Sequence, residues 1–301
     1  MDYKLFEEFL NQEKIEYKLF EPMKLHTSFK IGGPADVFVS PRSEKEVVKL
    51  FAKVKELQLP YFVLGKGSNL LVSDDGIEGV VISLLSLNEI TVCGDTLTAL
   101  SGASLASVCI SAFENSLEGL EFAYGIPGAV GGALYMNAGA YGGEMSQVVC
   151  SARYLDDDLK IKEIHLSNME LGYRTSVFKK SQKIILSVTF KLKKGESTKI
   201  KADMDDFLSR RKSKQPLEYP SAGSTFKRPE GYFAGALIEQ NNFKGVSVGG
   251  AMVSEKHAGF VINYNNATCR DVLELMDKIS DTVLKNNGVR LCPEVIFVGR
   301  K

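Results

Sequence analysis

Residues 125–144 read GIPGAVGGALYMNAGAYGGE, and seven of the nineteen positions from 125 to 143 are glycine: 125, 128, 131, 132, 139, 142 and 143. Glycine loses more backbone freedom on folding than any other residue, so this density is costly in conformational entropy. It returns little to a core, because glycine has no side chain to bury. The run Phe122–Gly143 is also uncharged and long enough to be checked as a membrane span. Pro127, Asn137 and the glycines would make it a poor spanning helix, so it reads as a loop region. Close approach of main chain to a bulky planar ligand explains the composition best.

A second glycine loop, Gly65-Lys66-Gly67-Ser68-Asn69, follows an expected strand at Tyr61–Leu64. It is not a Walker A loop, and it lacks the third glycine of the dinucleotide fingerprint. The next residues, Leu70-Leu71-Val72, are extended and apolar and lead into turn residues, so no helix opens there. That demotes a Rossmann or P-loop reading. The remaining readings are a tight hairpin turn, favoured for this loop taken by itself, and a backbone nest. In a nest, positive φ lets successive N–H groups converge on an anion such as a pyrophosphate. Two such loops in one chain fit a large phosphate-bearing cofactor gripped by main chain.

Around these loops the pattern is that of a mixed helix and strand protein. Leu5, Phe6, Phe9 and Leu10 predict a short helix running into a strand at Tyr17–Phe20. Asp36–Ser40 predicts a strand, and Ser43-x-x-Glu46 a capping box opening a helix with Val47, Phe51, Val54 and Leu57 in register. With Tyr61–Leu64 this gives β-α-β, hence an expected parallel pair with a right-handed crossover. Gly79–Leu84 and Thr96–Ser101 predict strands, and Ser104–Asn115 a helix. Arg153–Leu155, Ile161–His165 and Ile184–Lys191 predict strands of a mixed sheet, and 202–213 a charged helix. Thr268 and Asp271 cap a helix with Val272, Leu275, Met276, Ile279 and Val283 on one face. Asn287-Gly288 stops it, and Glu294–Val298 predicts the last strand.

The 301 residues carry 37 Lys+Arg against 37 Asp+Glu, with 44% hydrophobic and 25% charged residues. These are the proportions of a globular protein of two or three compact units. Zero net charge leaves no basic footprint for a general nucleic-acid partner. The opening MDYKLFEEFLNQEK is charged throughout, unlike a signal peptide, so no membrane partner is expected. The five cysteines (93, 109, 150, 269, 292) are odd in number, scattered and without C-x-x-C. They predict small buried apolar residues in a reducing, cytoplasmic protein, with no disulfide framework and no metal site.

The succession HTSFKIGGPAD (26–36), GKGSNLL (65–71), GIPGAVGGALYMNAGAYGGE (125–144), GYR (172–174), AGSTFKRP (222–229), VGGAMVSEKHAGF (248–260) and PEV (293–295) closely resembles the UDP-N-acetylenolpyruvoylglucosamine reductase (MurB) family. The resemblance runs in order over nearly the whole chain. It implies an α+β protein with a vanillyl-alcohol-oxidase/PCMH-type FAD-binding fold. Residues 1–85 and 86–200 would be the two FAD-binding subdomains, and 201–301 an α+β substrate-binding domain. FAD would be bound non-covalently, since nothing marks a histidine for attachment. The implied cradle is Gly65, Lys66, Gly67, Ser68, Asn69 and Leu70 with Gly125, Pro127, Gly128, Val130, Gly131, Gly132, Asn137, Ala138 and Gly139. The implied reaction is reduction of UDP-N-acetylglucosamine enolpyruvate to UDP-N-acetylmuramate, a step of peptidoglycan precursor synthesis. NADPH is the co-substrate, and hydride reaches the methylene carbon of the enol ether from flavin.

That reaction builds enolate-like charge beside a carboxylate, and a proton must then reach the neighbouring carbon. By motif, Arg174 would clamp the carboxylate with its planar, permanently charged fork. Its alternative is a solvated surface arginine. Ser224 would donate the proton; the residues alone favour a turn or cap serine. Glu294 would assist protonation, against the plainer reading of an exposed strand start. Buried near flavin, its carboxyl would rise and stay neutral. Lys214 matches a substrate-contacting lysine, against a solvated helix end, and Tyr173 and Lys227 are further pocket residues. Arg228 stands where one branch of the family has asparagine, so a substrate contact there would be rebuilt. His257 reads as structural or as a residue that supports the site from behind the groups in contact with the substrate. No insertion after Ser146 carries the tyrosine loop of longer members, so the chain resembles the shorter type. A sugar or alcohol oxidase on the same fold and a non-catalytic flavin-binding module are the rival readings; intact Arg174, Ser224 and Glu294 weigh against the second.

Overall fold

The computed structural model describes residues 3–181 and 183–300. Its helices are α1 (Lys4–Glu13), α2 (Glu44–Glu56), α3 (Leu105–Glu114), α4 (Val130–Tyr135), α5 (Ser197–Lys214), α6 (Ala234–Gln240) and α7 (Cys269–Asn287). The chain divides into two compact units. Among the described residues, one is formed by 3–18, 38–66 and 80–211, the other by 19–37, 67–79 and 212–300.

The first unit is built on a five-stranded sheet ordered Ile161–His165, Val149–Leu155, Ile184–Lys191, Thr96–Leu100, Ile90–Cys93. Every neighbouring pair is antiparallel, so the mixed sheet expected from the sequence is corrected. Two of the four pairs, Ile90–Cys93 with Thr96–Leu100 and Val149–Leu155 with Ile161–His165, are successive strands joined by short connections, which favour the antiparallel arrangement. Ile184–Lys191 is buried over most of its length and sits in the middle, whereas Ile161–His165 exposes four of five residues at an edge. α3 starts where the Ser104 hydroxyl accepts from Ser107 N (3.0 Å). It buries Leu105, Val108, Cys109 and Ala112, one helical stripe, in the core.

α2 begins at Ser43, whose hydroxyl accepts from Glu46 N (3.2 Å). The reciprocal half of the capping box is different from expectation. The Glu46 carboxylate accepts from Arg42 N (2.8 Å), one residue before the cap. Leu57 lies just past the helix end, and Leu50 joins Val47, Phe51 and Val54 in the buried stripe instead.

Tyr17–Pro22, Pro34–Val39, Ile77–Ser83 and Tyr61–Leu64 form a sheet in that order. The strands flanking α2 are therefore not direct neighbours. Tyr61–Leu64 pairs in parallel with Ile77–Ser83, from Tyr61 opposite Val80 to Leu64 opposite Ser83. Val80, Val81 and Ile82 are fully buried, which suits that strand, rather than its half-exposed neighbour, to an interior place.

The glycine-rich stretch is not all loop. Val130–Tyr135 forms a six-residue helix with no side-chain cap, and Gly139–Ala140 pairs with Gly143–Glu144. The helix is held from outside: Val130 N donates to Ala103 O (2.9 Å) and Gly131 N to Ser101 O (2.8 Å). A Cβ on Gly131 would lie 2.9 Å from Ser101 Cβ, so this glycine serves close packing.

In the second unit, Leu70–Val72 pairs in parallel with Ile296–Val298, the last strand. The hairpin reading of the first glycine loop is thereby corrected: the strands on its two sides belong to different sheets. A three-stranded antiparallel sheet (Ser247–Val248, Ala251–Val253, Val261–Asn263) shares its core with α7. α7 follows the sequence reading closely. Thr268 Oγ1 accepts from Asp271 N and Asp271 Oδ2 from Thr268 N (3.1 and 3.0 Å), and Gly288 closes the helix at φ 68°. The Asp74 carboxylate adds a further cap, accepting from Cys269 N (2.8 Å) and Arg270 N (3.1 Å).

The five cysteines are free thiols, and three of them correct the buried expectation: Cys93 and Cys292 are exposed and Cys150 is half-buried. Burial, with Glu121 nearby, pushes the Cys109 thiol far up, and burial with Asp74 raises Cys269 to about 12. Thiolate is the reactive form. A brief pulse of iodoacetamide on the native protein is therefore expected to alkylate Cys93 and Cys292 and to spare Cys109 and Cys269 until denaturant is added. Mass spectrometry reads the outcome, and Cys269 labelling as fast as Cys292 would contradict it.

Candidate functional site

Within the second unit, residues 67–69 of the first glycine loop and the motifs around Ser224 and Glu294 are bound into one backbone assembly. Gly67 adopts φ 59°, and a Cβ there would stand 2.2 Å from the His26 carbonyl oxygen. Only glycine fits both demands. Asn69 Nδ2 donates to Glu294 O (3.1 Å), and Ile296 N donates to Asn69 O (2.9 Å). Glu294 N in turn donates to Thr225 O (2.8 Å), Lys227 N donates to Cys292 O (2.8 Å), and Phe226 bridges Pro293 antiparallel. Residues 224–227 and 292–295 thus run side by side, although about seventy positions separate them in sequence.

Thr225 is the clamp of this assembly, and the motif reading passed over it. It is buried, its N–H donates to Gly259 O (2.9 Å), and its hydroxyl accepts from Val261 N (2.9 Å). Flanked by that anchor, Ser224 is exposed and Glu294 half-buried. A buried threonine between two motif residues was the only signal available. Ser28 Oγ also donates to Ser221 O (2.6 Å), fixing the start of the same motif.

The remaining candidates of this unit are placed less tightly. Lys227 is half-buried. The Arg228 guanidinium sits 4.1 Å from the centroid of the exposed Phe233 ring, a cation–π contact. Lys214 ends α5 and is exposed.

His257 is packed and hydrogen-bonded within its own motif. Gly259 N donates to its Nδ1 (3.0 Å), and Phe260 packs edge-on at 5.1 Å. Burial first, with Lys244 adding to it, lowers its pKa from the usual 6.5. The unfolded chain then binds the proton more readily than the folded one, so stability rises with pH across that window. Urea midpoints are expected to fall as pH drops below about 6.5 and to level off once both states are protonated. His257→Gln is expected to flatten that slope; an unchanged slope would contradict the assignment.

In the first unit, Gly65 and Lys66 begin the first loop, and the second loop carries the rest of the expected cradle. Gly128 O accepts from Leu105 N (3.0 Å), Val130 and Gly131 are buried, and Pro127 is exposed. Gly132 is exposed, and a Cβ there would meet nothing within 4 Å. The Arg211 side chain lies close to Gly125, 3.1 Å from where a Cβ would be. Gly139 and Ala138 are half-buried. The Ser101 hydroxyl, beside Gly131, is buried with no hydrogen-bond partner among the described residues. Asn137 is 1% exposed, and its side chain is taken up by protein groups at both ends.

Tyr173 and Arg174 form a two-residue turn. Gly172 N donates to Thr175 O (3.1 Å) and Thr175 N to Gly172 O (3.2 Å). Arg174 sits at φ 54°, which an arginine rarely adopts. Its guanidinium carbon lies 5.4 Å from the Tyr173 ring centroid, and that ring is 58% exposed.

The second loop offers main chain with open space above Gly132, the orphan Ser101 hydroxyl and the Arg211 side chain beside Gly125. These features suit a planar, anionic ligand. Residues 35–164 match a family model described as an FAD binding domain, and 215–298 match one described as UDP-N-acetylenolpyruvoylglucosamine reductase, C-terminal domain. Among solved structures, the UDP-N-acetylenolpyruvylglucosamine reductase (MurB) of Thermus caldophilus superimposes with a TM-score of 0.81 at 32% identity, covering 94% of this chain and 98% of that one. The fold is thus the α+β FAD-binding fold expected from the motifs. The UDP-N-acetylenolpyruvoylglucosamine reductase of Clostridium perfringens (strain SM101 / Type A) is 52% identical over 99% of this chain and 97% of its own length. That of Clostridium novyi (strain NT) is 49% identical over 99% and 96%. The chain belongs to the UDP-N-acetylenolpyruvoylglucosamine reductase family. No helix among the described residues is long and apolar enough to cross a membrane.

Proposed function

We propose that this protein reduces the enolpyruvyl group of UDP-N-acetylglucosamine enolpyruvate to give UDP-N-acetylmuramate, consuming NADPH, in the cytoplasmic synthesis of peptidoglycan precursors. FAD, held non-covalently, supplies the hydride path from NADPH to the methylene carbon. The main chain of Gly65–Leu70 and of Gly125–Gly139 would hold it, with Ser101 offering its hydroxyl. Asn137 would offer backbone only, since its side chain binds Gly172 and Ser146, and the Asn69 amide nitrogen is taken by Glu294 O.

Arg174 receives the substrate carboxylate and the negative charge that spreads into it as hydride arrives. Ser224 gives its proton to the adjacent carbon, completing addition of one hydride and one proton across the double bond. Glu294 hydrogen-bonds the developing enol, and Tyr173, Lys214, Lys227 and Arg228 contact the remainder of the substrate. Serine is a weak acid, so its role demands a fixed position next to a strongly basic carbon. The observation that carries the reading is the backbone ladder from Asn69 through Glu294 to Thr225, which fixes the strands bearing Ser224 and Glu294 against each other.

The test is NADPH consumption by FAD-loaded protein with and without the enolpyruvyl substrate. Consumption that depends on the enol ether is expected. Oxygen consumption with sugars or alcohols and indifference to the enol ether would replace this reading with that of an oxidase.

A further inference from the structure

We infer that Asn137 is a positioning residue for Arg174, an inference that rests on the role given to Arg174 above. By motif, Asn137 belongs among cofactor-binding residues. Its surroundings assign the side chain another task. Asn137 Nδ2 donates to Gly172 O (3.1 Å), and Oδ1 accepts from Ser146 N (3.0 Å). One partner is an acceptor and the other a donor, so the amide has a single satisfying orientation. With the residue 1% exposed, neither end is available to a ligand.

Gly172 is the first residue of the turn that carries Arg174. The same short segment of the glycine-rich stretch holds the turn twice more. Ser176, fully buried, donates its hydroxyl proton to Tyr135 O (2.7 Å). The Lys179 ammonium donates to Arg174 O (3.2 Å) and lies 3.9 Å from Met136 Sδ. Tyr135, Met136 and Asn137 are consecutive, so one end of α4 meets the turn at three successive residues. An arginine at φ 54° persists only where neighbours over-determine it. Of the three ties, Asn137 alone bonds directly to the backbone of Gly172, at the corner where relaxation would redirect the guanidinium. The asparagine that links the glycine stretch to this turn therefore sets the direction in which Arg174 meets its substrate.

Asn137→Asp keeps the shape, tolerates the residue's own positive φ of 42° and retains the acceptor for Ser146 N, but faces Gly172 O with an oxygen. Recolouring of NADPH-bleached flavin by the enolpyruvyl substrate is expected to slow by roughly tenfold to a hundredfold. FAD content and the rate of bleaching by NADPH should stay as in the wild type. The defect should shrink as pH falls, because the introduced carboxyl, once protonated, again donates towards Gly172 O. Amide exchange at Thr175 should quicken in parallel. Combined with Arg174→Lys, the losses should not multiply, because both changes disable one group.

Loss of FAD with unimpaired recolouring at full loading, or losses that multiply, would overturn the inference. A crippled Arg174→Lys beside a wild-type-like Asn137→Asp would remove the inference and leave the role of Arg174 standing. Unimpaired Arg174→Lys would remove both. Should Asn137→Asp fail to fold, Ser176→Ala cuts the neighbouring tie, and the same split between bleaching and recolouring decides the matter.

Discussion

Ser224→Ala is expected to bind FAD and to bleach with NADPH at the wild-type rate, yet to recolour with enolpyruvyl substrate roughly 10²–10⁴ times more slowly. The hydroxyl is exposed, so its removal opens no cavity, and surface changes of this kind alter stability by about 0.5 kcal/mol or less. The backbone of the motif is held by Thr225 through Gly259, Val261 and Glu294, none of which depends on the serine side chain. What is lost is the proton for the carbon next to the carboxylate. Rapid-mixing absorbance separates the two half-reactions. Equal failure of both with FAD retained would contradict the proton-donor role.

Arg174→Lys is expected to slow the same half-reaction by roughly 10²–10³, the range seen when one donor to a developing anion is removed. Charge is conserved, so a result this large would isolate geometry. An ammonium is a point donor and cannot reproduce a planar two-pronged hold on a carboxylate. Lysine is no better suited than arginine to φ 54°, so the backbone constraint is the same in both proteins. The loss should fall more on turnover than on the half-saturating substrate concentration, because the fork matters most as charge accumulates. Wild-type turnover would remove Arg174 from the chemistry.

Much of this molecule was legible where the determining interactions are local. α7 could be read almost residue by residue, because its cap, buried stripe and glycine stop all lie within one helix. The Ser104 cap and the α2 stripe were legible for the same reason. Misreadings arose where a distant segment decides. The strands around α2 looked like neighbours until Ile77–Ser83, later in the chain, took the place between them. Residues 130–135 carry two glycines and no cap, so propensity gave no helix; donors to Ser101 and Ala103 hold it in place. Ile90–Cys93, a half-exposed edge strand, left too weak a pattern to read. Glycine density pointed towards a ligand, but Gly131 packs on Ser101, so part of that signal is intramolecular. Among the site residues, motifs named Ser224, Glu294, Asn69 and Asn137. Only the folded chain assigns the two asparagine side chains to backbone carbonyls.

An anaerobic titration followed by visible absorbance tests the central claim most directly. The purified protein, supplied with FAD, should show the flavin spectrum, lose it on one equivalent of NADPH, and regain it on one equivalent of UDP-N-acetylglucosamine enolpyruvate. A protein that takes up no FAD, or a bleached flavin that stays bleached when the enol ether is added, would contradict it.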